Sequence, residues 1–230
     1  MSVSDLILFS TGPYMLGSIS GAYVLGRMIK GVDLRLLGTK TLGISNASKY
    51  IGFWAIPALV FWDVVCKGML PIWITRFVFG HPEEIQALVG ICVILGHNWP
   101  VFLKFHGGRG IATVYGITLS LYPPRIPLEF LVLGIISLIG KRLFMDGAVG
   151  ILIGVILLPL VGFFWDRSVP IIAMMLGILV LVLLKRLMGN SRPHLRKDIH
   201  FRLILNRLVY DRDIASKKDW IQGRNNLHES

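Results

Sequence analysis

Seven apolar segments separated by short polar loops restrict the fold of this chain more than any other feature. They cover residues 5–29, 50–72, 84–103, 110–122, 126–140, 145–165 and 169–187. Most of them approach the ~20 residues with which a helix crosses the hydrocarbon core of a bilayer, where helices satisfy their own backbone hydrogen bonds. A hydrophobic content of 54% also exceeds what a soluble domain needs. The sequence therefore predicts an all-α integral membrane protein with seven transmembrane helices, the fourth of them short.

The positions of the basic residues predict the orientation of these helices. If the N-terminus lies outside and every segment crosses, 20 of the 24 Lys and Arg residues fall on the inner side. The outside loops then hold only Lys67, Arg76, Arg125 and Arg167. Because basic loops are retained in the cytoplasm, we predict an N-out, C-in protein of the cytoplasmic (inner) membrane. Residues 1–188 would form its membrane domain, and residues 189–230 a basic cytoplasmic tail with one helix near 199–210.

The formal net charge of +11 indicates which partners to expect. In a membrane protein such a charge favours anionic lipid headgroups, so we expect membrane lipids and not nucleic acid as partners. The two cysteines, Cys66 and Cys92, lie in apolar surroundings and fit no metal-ligand spacing. The sequence also lacks a nucleotide-binding fingerprint, so we expect neither a metal nor a cofactor.

A polar stretch from Gly96 to Thr113 separates the third and fourth segments. An arginine in it, Arg109, is surrounded by glycines just before a new helix begins: Gly107, Gly108 and Gly110. A helix N-terminus behind a glycine-rich loop can bind an anion through its backbone N–H groups. Lys104 and Arg109 add positive charge, and an arginine can hold two phosphate oxygens at once. The alternative is a basic loop at the membrane edge that uses glycine only for turns, and both interpretations fit the residues.

The loop between the first two segments lies on the same predicted side. It carries glycines, hydroxyls and lysines that suit a phosphate: Gly38, Thr39, Lys40, Thr41, Gly43, Ser45 and Lys49. Ser45 and Asn46 come just before the second segment, where we expect them to cap its helix. The alternative is a basic juxtamembrane loop held by that cap. In the second segment, Asp63 and Lys67 are four residues apart and can pair on one helix face.

Several of these stretches together resemble the bacterial acyl-phosphate:glycerol-3-phosphate acyltransferase (PlsY) family. They are Gly17–Ser20, Gly31–Arg35, Gly38–Asn46 and Gly96–Thr113, and the similarity covers most of residues 5–187. The resemblance implies a membrane enzyme with seven spans and three cytoplasmic motifs, acting in phospholipid biosynthesis. It implies transfer of an acyl chain from acyl phosphate to the 1-hydroxyl of glycerol 3-phosphate, which yields lysophosphatidic acid and phosphate. It implies no use of coenzyme A or of a metal.

This resemblance also implies roles for individual residues. The glycine loop would cradle phosphate through Gly107, Gly108, Arg109 and Gly110. Acceptor orientation and catalysis would fall to Thr39, Ser45, Asn46 and His97. Further positive charge would come from Lys40, Lys49, Lys104 and Arg186.

The sequence departs from the family pattern at two places. Lys40 and Thr41 replace a glycine and an asparagine of the first motif. The histidine and asparagine of the third motif are absent, although Lys185 and Arg186 remain at the end of the seventh segment. The alternative function is therefore a catalytically inactive homologue that binds phospholipid precursors or another membrane protein.

Overall fold

The computed structural model describes residues 2–121, 147–165, 168–189, 201–216 and 220. The regular elements in these ranges are helices: α1 Val3–Ser18, α2 Gly21–Lys30, α3 Ile44–Ile51, α4 Ala55–Val78, α5 Glu83–Asn98, α6 Ile111–Leu121, α7 Gly147–Trp165, α8 Val169–Met188 and α9 Phe201–Tyr210. A short 3₁₀ turn at Val101–Leu103 follows α5. The predicted all-α fold is confirmed for these ranges. The fifth predicted segment, 126–140, lies outside the described residues.

Within the described ranges, three stretches are long and apolar enough to cross a membrane: Ala55–Val78, Glu83–Leu103 and Val169–Met188. Helix α6 and the stretch Gly147–Leu160 are apolar but shorter. Many large apolar side chains on these helices point outward, among them Phe61, Phe77 and Val180, which are 59%, 64% and 53% exposed. Exposed apolar surface on this scale is what hydrocarbon chains would cover.

The first apolar segment is two helices and not one. Helix α1 ends at Ser18, and the Oγ of Ser20 accepts a hydrogen bond of 3.3 Å from the backbone N–H of Tyr23 to cap α2. A serine that satisfies an unpaired N–H of a following helix favours a break at this point. The single continuous span predicted for residues 5–29 is therefore wrong.

The second apolar segment also begins elsewhere than predicted. Helix α3 ends at Gly52, whose φ of +123° is rarely adopted by other residues, and the apolar helix starts at Ala55. Ser45 and Asn46 lie within α3, and Gly43 precedes it without a side-chain cap. The predicted cap is therefore wrong, because polar residues that open a helix look alike whether they precede it or form its first turn.

Lys67 is likewise not in an outside loop. It lies inside α4, within a π-helical stretch at Phe61–Met69, and only 1% of its surface is exposed. The Asp63 carboxylate lies 3.4 Å from its ammonium group, which confirms the predicted pair.

Glycines allow the helices to cross with their backbones in contact. A Cβ atom on Gly96 of α5 would overlap the carbonyl oxygen of Tyr14 in α1. At the crossing of α4 and α6, a Cβ on Gly68 would stand 2.6 Å from the Cα of Gly116. Small residues at such crossings are typical of helices that associate within a bilayer. The first crossing sets the end of α5 against α1, and the second sets α6 against the middle of α4.

Two clusters of buried apolar side chains hold the helices together. The larger one joins α5, α6 and α8 through Val89, Val93, Ile94, Ile117, Met174, Ile178 and Val182. The smaller one lies beneath the loop between α2 and α3 and includes Leu34, Leu42, Ala47, Leu59 and Leu103. Because Leu103 belongs to this second cluster, the two loops that the sequence indicated for phosphate binding pack on the same side of the molecule.

Candidate active site

The glycine loop, residues 107–110, packs directly on the end of α5. A Cβ on Gly107 would overlap the carbonyl oxygen of His97, and one on Gly108 would overlap its Nε2 atom. The N–H of Gly108 donates a 3.2 Å hydrogen bond to the His97 carbonyl. The N–H of Gly108 thus holds the loop on α5, and the predicted phosphate contact of this glycine stays a prediction. Gly110, at a φ of +73°, then turns the chain into α6.

A buried polar cluster lies behind this loop and consists of Asp63, Lys67, His97 and Thr113. The hydroxyl of Thr113 lies 3.2 Å from Nδ1 of His97. The Asp63 carboxylate lies 3.8 Å from the same nitrogen. With Nδ1 fixed by these two groups, Nε2 faces Gly108. Ionisable residues inside membrane helices are costly and mark functional sites by default.

Asn98, the last residue of α5, has a fully buried side chain without a partner. Among the described residues neither its Oδ1 nor its Nδ2 makes a hydrogen bond. A Cβ on Gly110 would lie 3.1 Å from that Oδ1, so the amide faces the start of α6. An unpaired buried polar group costs about 1–3 kcal/mol, and the first N–H groups of a helix also need acceptors. The arrangement suits a ligand that both donates and accepts hydrogen bonds.

Arg109 is held from two directions. Its Nε lies 2.8 Å from both carboxylate oxygens of Asp211, a residue just beyond α9. Its Nη1 donates a 3.2 Å hydrogen bond to the carbonyl oxygen of Lys185 at the end of α8. The Nζ of Lys185 in turn donates to the carbonyl oxygen of Asn98. The structure therefore gathers α5, α6, α8 and the segment after α9 around one guanidinium.

Arg186, which was predicted to add positive charge for phosphate, is bound to carbonyl oxygens of two other helices. Only 2% of its surface is exposed. Its Nη1 donates to the carbonyl oxygen of Leu208 at 2.7 Å, and its Nη2 to that of Ala148 at 2.9 Å. It therefore ties α7 and α9 to the end of α8.

The predicted first loop is held together by Asn46. Its Nδ2 donates to the carbonyl oxygens of Leu34, Leu37 and Thr41 at 3.0–3.2 Å, and its Oδ1 accepts from the N–H of Thr39 at 3.1 Å. The amide is thus occupied in shaping the loop. Its predicted part in orienting the acceptor stays a prediction.

Arg35 joins the loop after α2 to the turn before the glycine loop, and its ion pair with Asp33 holds it in place. The two side chains approach to 2.7 Å, and the hydrogen bonds from Arg35 hold the pKa of the Asp33 carboxyl below its ordinary value. The Nη1 of Arg35 reaches the carbonyl oxygen of Leu103 at 3.4 Å. This contact joins the loop after α2 to the turn before the glycine loop.

The other predicted residues line the outer parts of both loops. Ser45, Lys49 and Lys104 are exposed. The hydroxyl of Thr39 lies 2.9 Å from that of Thr41, and Lys40 has a left-handed φ of +55°. Of the predicted residues, His97 packs against Gly108, and Arg109 belongs to the same glycine loop.

Sequence reasoning gave no role to several residues that the structure brings to this site. Asn98 and Thr113 lie inside the indicated stretch but match no separate motif. Lys185 was noted only as a charge, and Asp211 is 102 positions away from Arg109. A local pattern carries no trace of such a distant partner.

Comparisons with known proteins identify what this chain is similar to. The family model for glycerol-3-phosphate acyltransferase matches residues 7–192. Glycerol-3-phosphate acyltransferase 5 of Dehalococcoides mccartyi is 37% identical, with 96% of this chain and 94% of the relative covered. Glycerol-3-phosphate acyltransferase 4 of strain CBDB1 of the same species is 33% identical over 100% of this chain and 98% of its own.

Solved structures give the same result for the fold. The crystal structure of PlsY (YgiH), an integral membrane glycerol 3-phosphate acyltransferase, in its glycerol 3-phosphate form superposes with a TM-score of 0.70 at 30% identity. That alignment covers 80% of this chain and 88% of the other. The lysophosphatidic acid form gives 0.67 at 27% identity and covers 90% and 98%.

Proposed function

Because the chain belongs to the glycerol-3-phosphate acyltransferase family and is a multi-pass membrane acyltransferase of phospholipid synthesis, we propose the donor and the residues that perform its reaction. The donor is an acyl phosphate, and the acceptor is the 1-hydroxyl of glycerol 3-phosphate. The products are lysophosphatidic acid and inorganic phosphate. The observation that carries this proposal is that His97 packs against Gly108, while the next residue, Arg109, holds its guanidinium beside the end of α8.

The chemistry demands little of the protein beyond positioning and charge. An acyl phosphate is a mixed anhydride, so its carbonyl carbon is already activated. The acceptor oxygen forms an ester with this carbon, the bond to the phosphate oxygen breaks, and the hydroxyl proton moves to a base. Arg109 and the N-terminus of α6 hold the phosphate charge, which makes the phosphate a better leaving group.

His97 is the base in this proposal. Asp63 and Thr113 hold its Nδ1 side, and its Nε2 faces the loop where the acceptor would bind. A histidine with a carboxylate beside one nitrogen and the other nitrogen directed at the substrate is a recurrent arrangement for proton transfer. The third-motif histidine that this chain lacks would lie at the end of α8. Because His97 lies in α5, the proposed base is present without it.

The residues of the first loop orient and attract the acceptor. Thr39 and Ser45 supply hydroxyl groups, and Asn46 keeps the loop in shape. The exposed Lys49 and Lys104, with Lys40, raise the local concentration of anionic substrate. These side chains act through their electric field and not through the bond-breaking step.

We expect purified protein to release phosphate and form lysophosphatidic acid in equal amounts from acyl phosphate and glycerol 3-phosphate. Acyl-CoA should not replace the donor, since no nucleotide-binding fingerprint is present in the sequence. The measurement compares the two donors with and without acceptor. Robust transfer from acyl-CoA in the absence of acyl phosphate would contradict the donor assignment, and absence of transfer from either would favour a binding role.

We also propose that the site faces the cytoplasm, with the N-terminus outside and residues 189–230 as a cytoplasmic tail. The basis is the 20 of 24 basic residues on one side. A cysteine introduced at Lys40 or His106, in a chain without Cys66 and Cys92, should react with a membrane-permeant thiol reagent and resist an impermeant one in intact cells. Labelling by the impermeant reagent from outside would reverse the orientation.

A further inference from the structure

Two arginines, Arg186 and Arg207, attach helix α9 to the end of α8. Arg186 of α8 donates to the carbonyl oxygens of Leu208 and Val209 at 2.7 and 3.3 Å. Arg207 of α9 donates to the carbonyl oxygen of Leu187 at 3.0 Å and to the Asp213 carboxylate at 2.7 Å. Charge-assisted hydrogen bonds are the strong ones in proteins. The segment 201–213 is therefore a fixed part of the domain.

This fixed segment presents Asp211 to the site. The φ of Asp211 is +55°, which residues other than glycine seldom adopt, and its N–H donates to the carbonyl oxygen of Arg207 at 3.1 Å. Such a conformation persists only where the surrounding structure determines it. The chain thus turns sharply at the end of α9, and this turn aims the carboxylate at Arg109.

The contacts of Arg109 leave one edge of its guanidinium available. Asp211 takes Nε, and the Lys185 carbonyl takes one hydrogen of Nη1. Among the described residues no acceptor contacts Nη2. Because the Nε hydrogen and Nη1 lie on opposite edges of the planar guanidinium, these two partners fix its orientation and leave the N–H groups of Nη2 for a phosphate.

We propose that Asp211 is a positioning residue for the acyltransfer reaction, and that segment 201–213 completes the substrate site by holding Arg109 in its phosphate-binding orientation. The inference rests on the proposed function, since it takes Arg109 as the phosphate ligand. A segment that merely blocked Arg109 would have to leave on substrate binding, and this would break the bonds of Arg186 and Arg207 as well. Fixed attachment therefore favours positioning over blocking.

The test compares Asp211→Asn with the intact protein. Asparagine adopts left-handed φ values readily, so this change removes the charge and spares the turn. We expect kcat/KM to fall about tenfold and the inhibition constant of inorganic phosphate to rise by about the same factor. Asp211→Glu keeps the charge and should recover part of both. The matched control is Arg202→Gln, an exposed residue of the same helix, which should change neither quantity.

A double variant separates positioning from an independent role. Arg109→Ala should lower kcat/KM by tenfold to a hundredfold, and adding Asp211→Asn to it should cause no further loss. Tighter phosphate inhibition or faster turnover in Asp211→Asn would identify a blocking segment and overturn the proposal. Additive losses in the double variant would overturn it as well.

The Arg109→Ala variant tests the proposed function separately. If this variant alone had no effect on kcat/KM, Arg109 would not be the phosphate ligand. Should Asp211→Asn not fold, Asp211→Gly takes its place, since glycine also tolerates the left-handed turn and removes the carboxylate. Unchanged kinetics of that variant beside a defective Arg109→Ala would also contradict positioning.

Discussion

His97→Gln should lower kcat by about 10²–10⁴, the usual contribution of a positioned general base. Glutamine can still hydrogen bond to Thr113, but it cannot take a proton from the acceptor hydroxyl. The KM for glycerol 3-phosphate should change far less than kcat, because His97 lies beside the loop and its Nδ1 side is turned toward Asp63 and Thr113. Steady-state phosphate release at saturating donor measures both quantities.

His106 provides the matched control for this substitution. It directly precedes the glycine loop and is exposed, and among the described residues its Nδ1 contacts only the carbonyl oxygen of Lys104, at 2.7 Å. His106→Gln should leave kcat unchanged. If His97→Gln kept full turnover but lowered the melting temperature, His97 would be a structural residue that supports the loop, and the proton would have to go elsewhere.

Gly116→Ala should have the largest effect on stability. A Cβ there would overlap the carbonyl oxygen of Val64 and stand 2.8 Å from the Cα of Gly68, so α4 and α6 would have to separate. Overpacking costs about 1–3 kcal/mol and occasionally more, and two rigid backbones leave little room to relax. We expect about 3 kcal/mol, which lowers the melting temperature of a chain of this size by roughly 6–12 °C.

Gly12→Ala is the control for that change. Gly12 lies within α1, and a Cβ on it would meet nothing within 4 Å. Alanine is a better helix former than glycine, so thermal unfolding in detergent should show an unchanged or slightly higher melting temperature. Equal losses at Gly12 and Gly116 would mean that backbone contact at the α4–α6 crossing is not what stabilises the fold.

The sequence predicted those features that depend on local pattern. The all-α class followed from the length of the apolar runs, and the Asp63–Lys67 pair followed from a spacing of four residues, because both are properties of one helix. The predicted segment 50–72 did not include a break at Gly52, because Phe53 and Trp54 continue the apolar run beyond it. Hydropathy averages over such a break, whereas the backbone conformation depends on a single residue.

The site was predicted only in part for a different reason. A glycine next to an arginine can expose its N–H to a phosphate, or it can let the backbone pack closely against a histidine. The sequence looks the same in both cases, and Gly108 packs against His97. Lys185 and Asp211 reach Arg109 through the packing of α8 and α9. That packing depends on Arg186 and Arg207 finding carbonyl oxygens on other helices, which no spacing within a segment reveals.

The ion pair of Arg109 with Asp211 has a consequence for how the protein is made. The two residues are 102 positions apart, so Arg109 enters the membrane domain well before its partner leaves the ribosome. During that interval the helices around the glycine loop can insert and cross, while the guanidinium still has no carboxylate to orient it. Insertion of these helices and formation of the pair between Arg109 and Asp211 are therefore separate events in biogenesis.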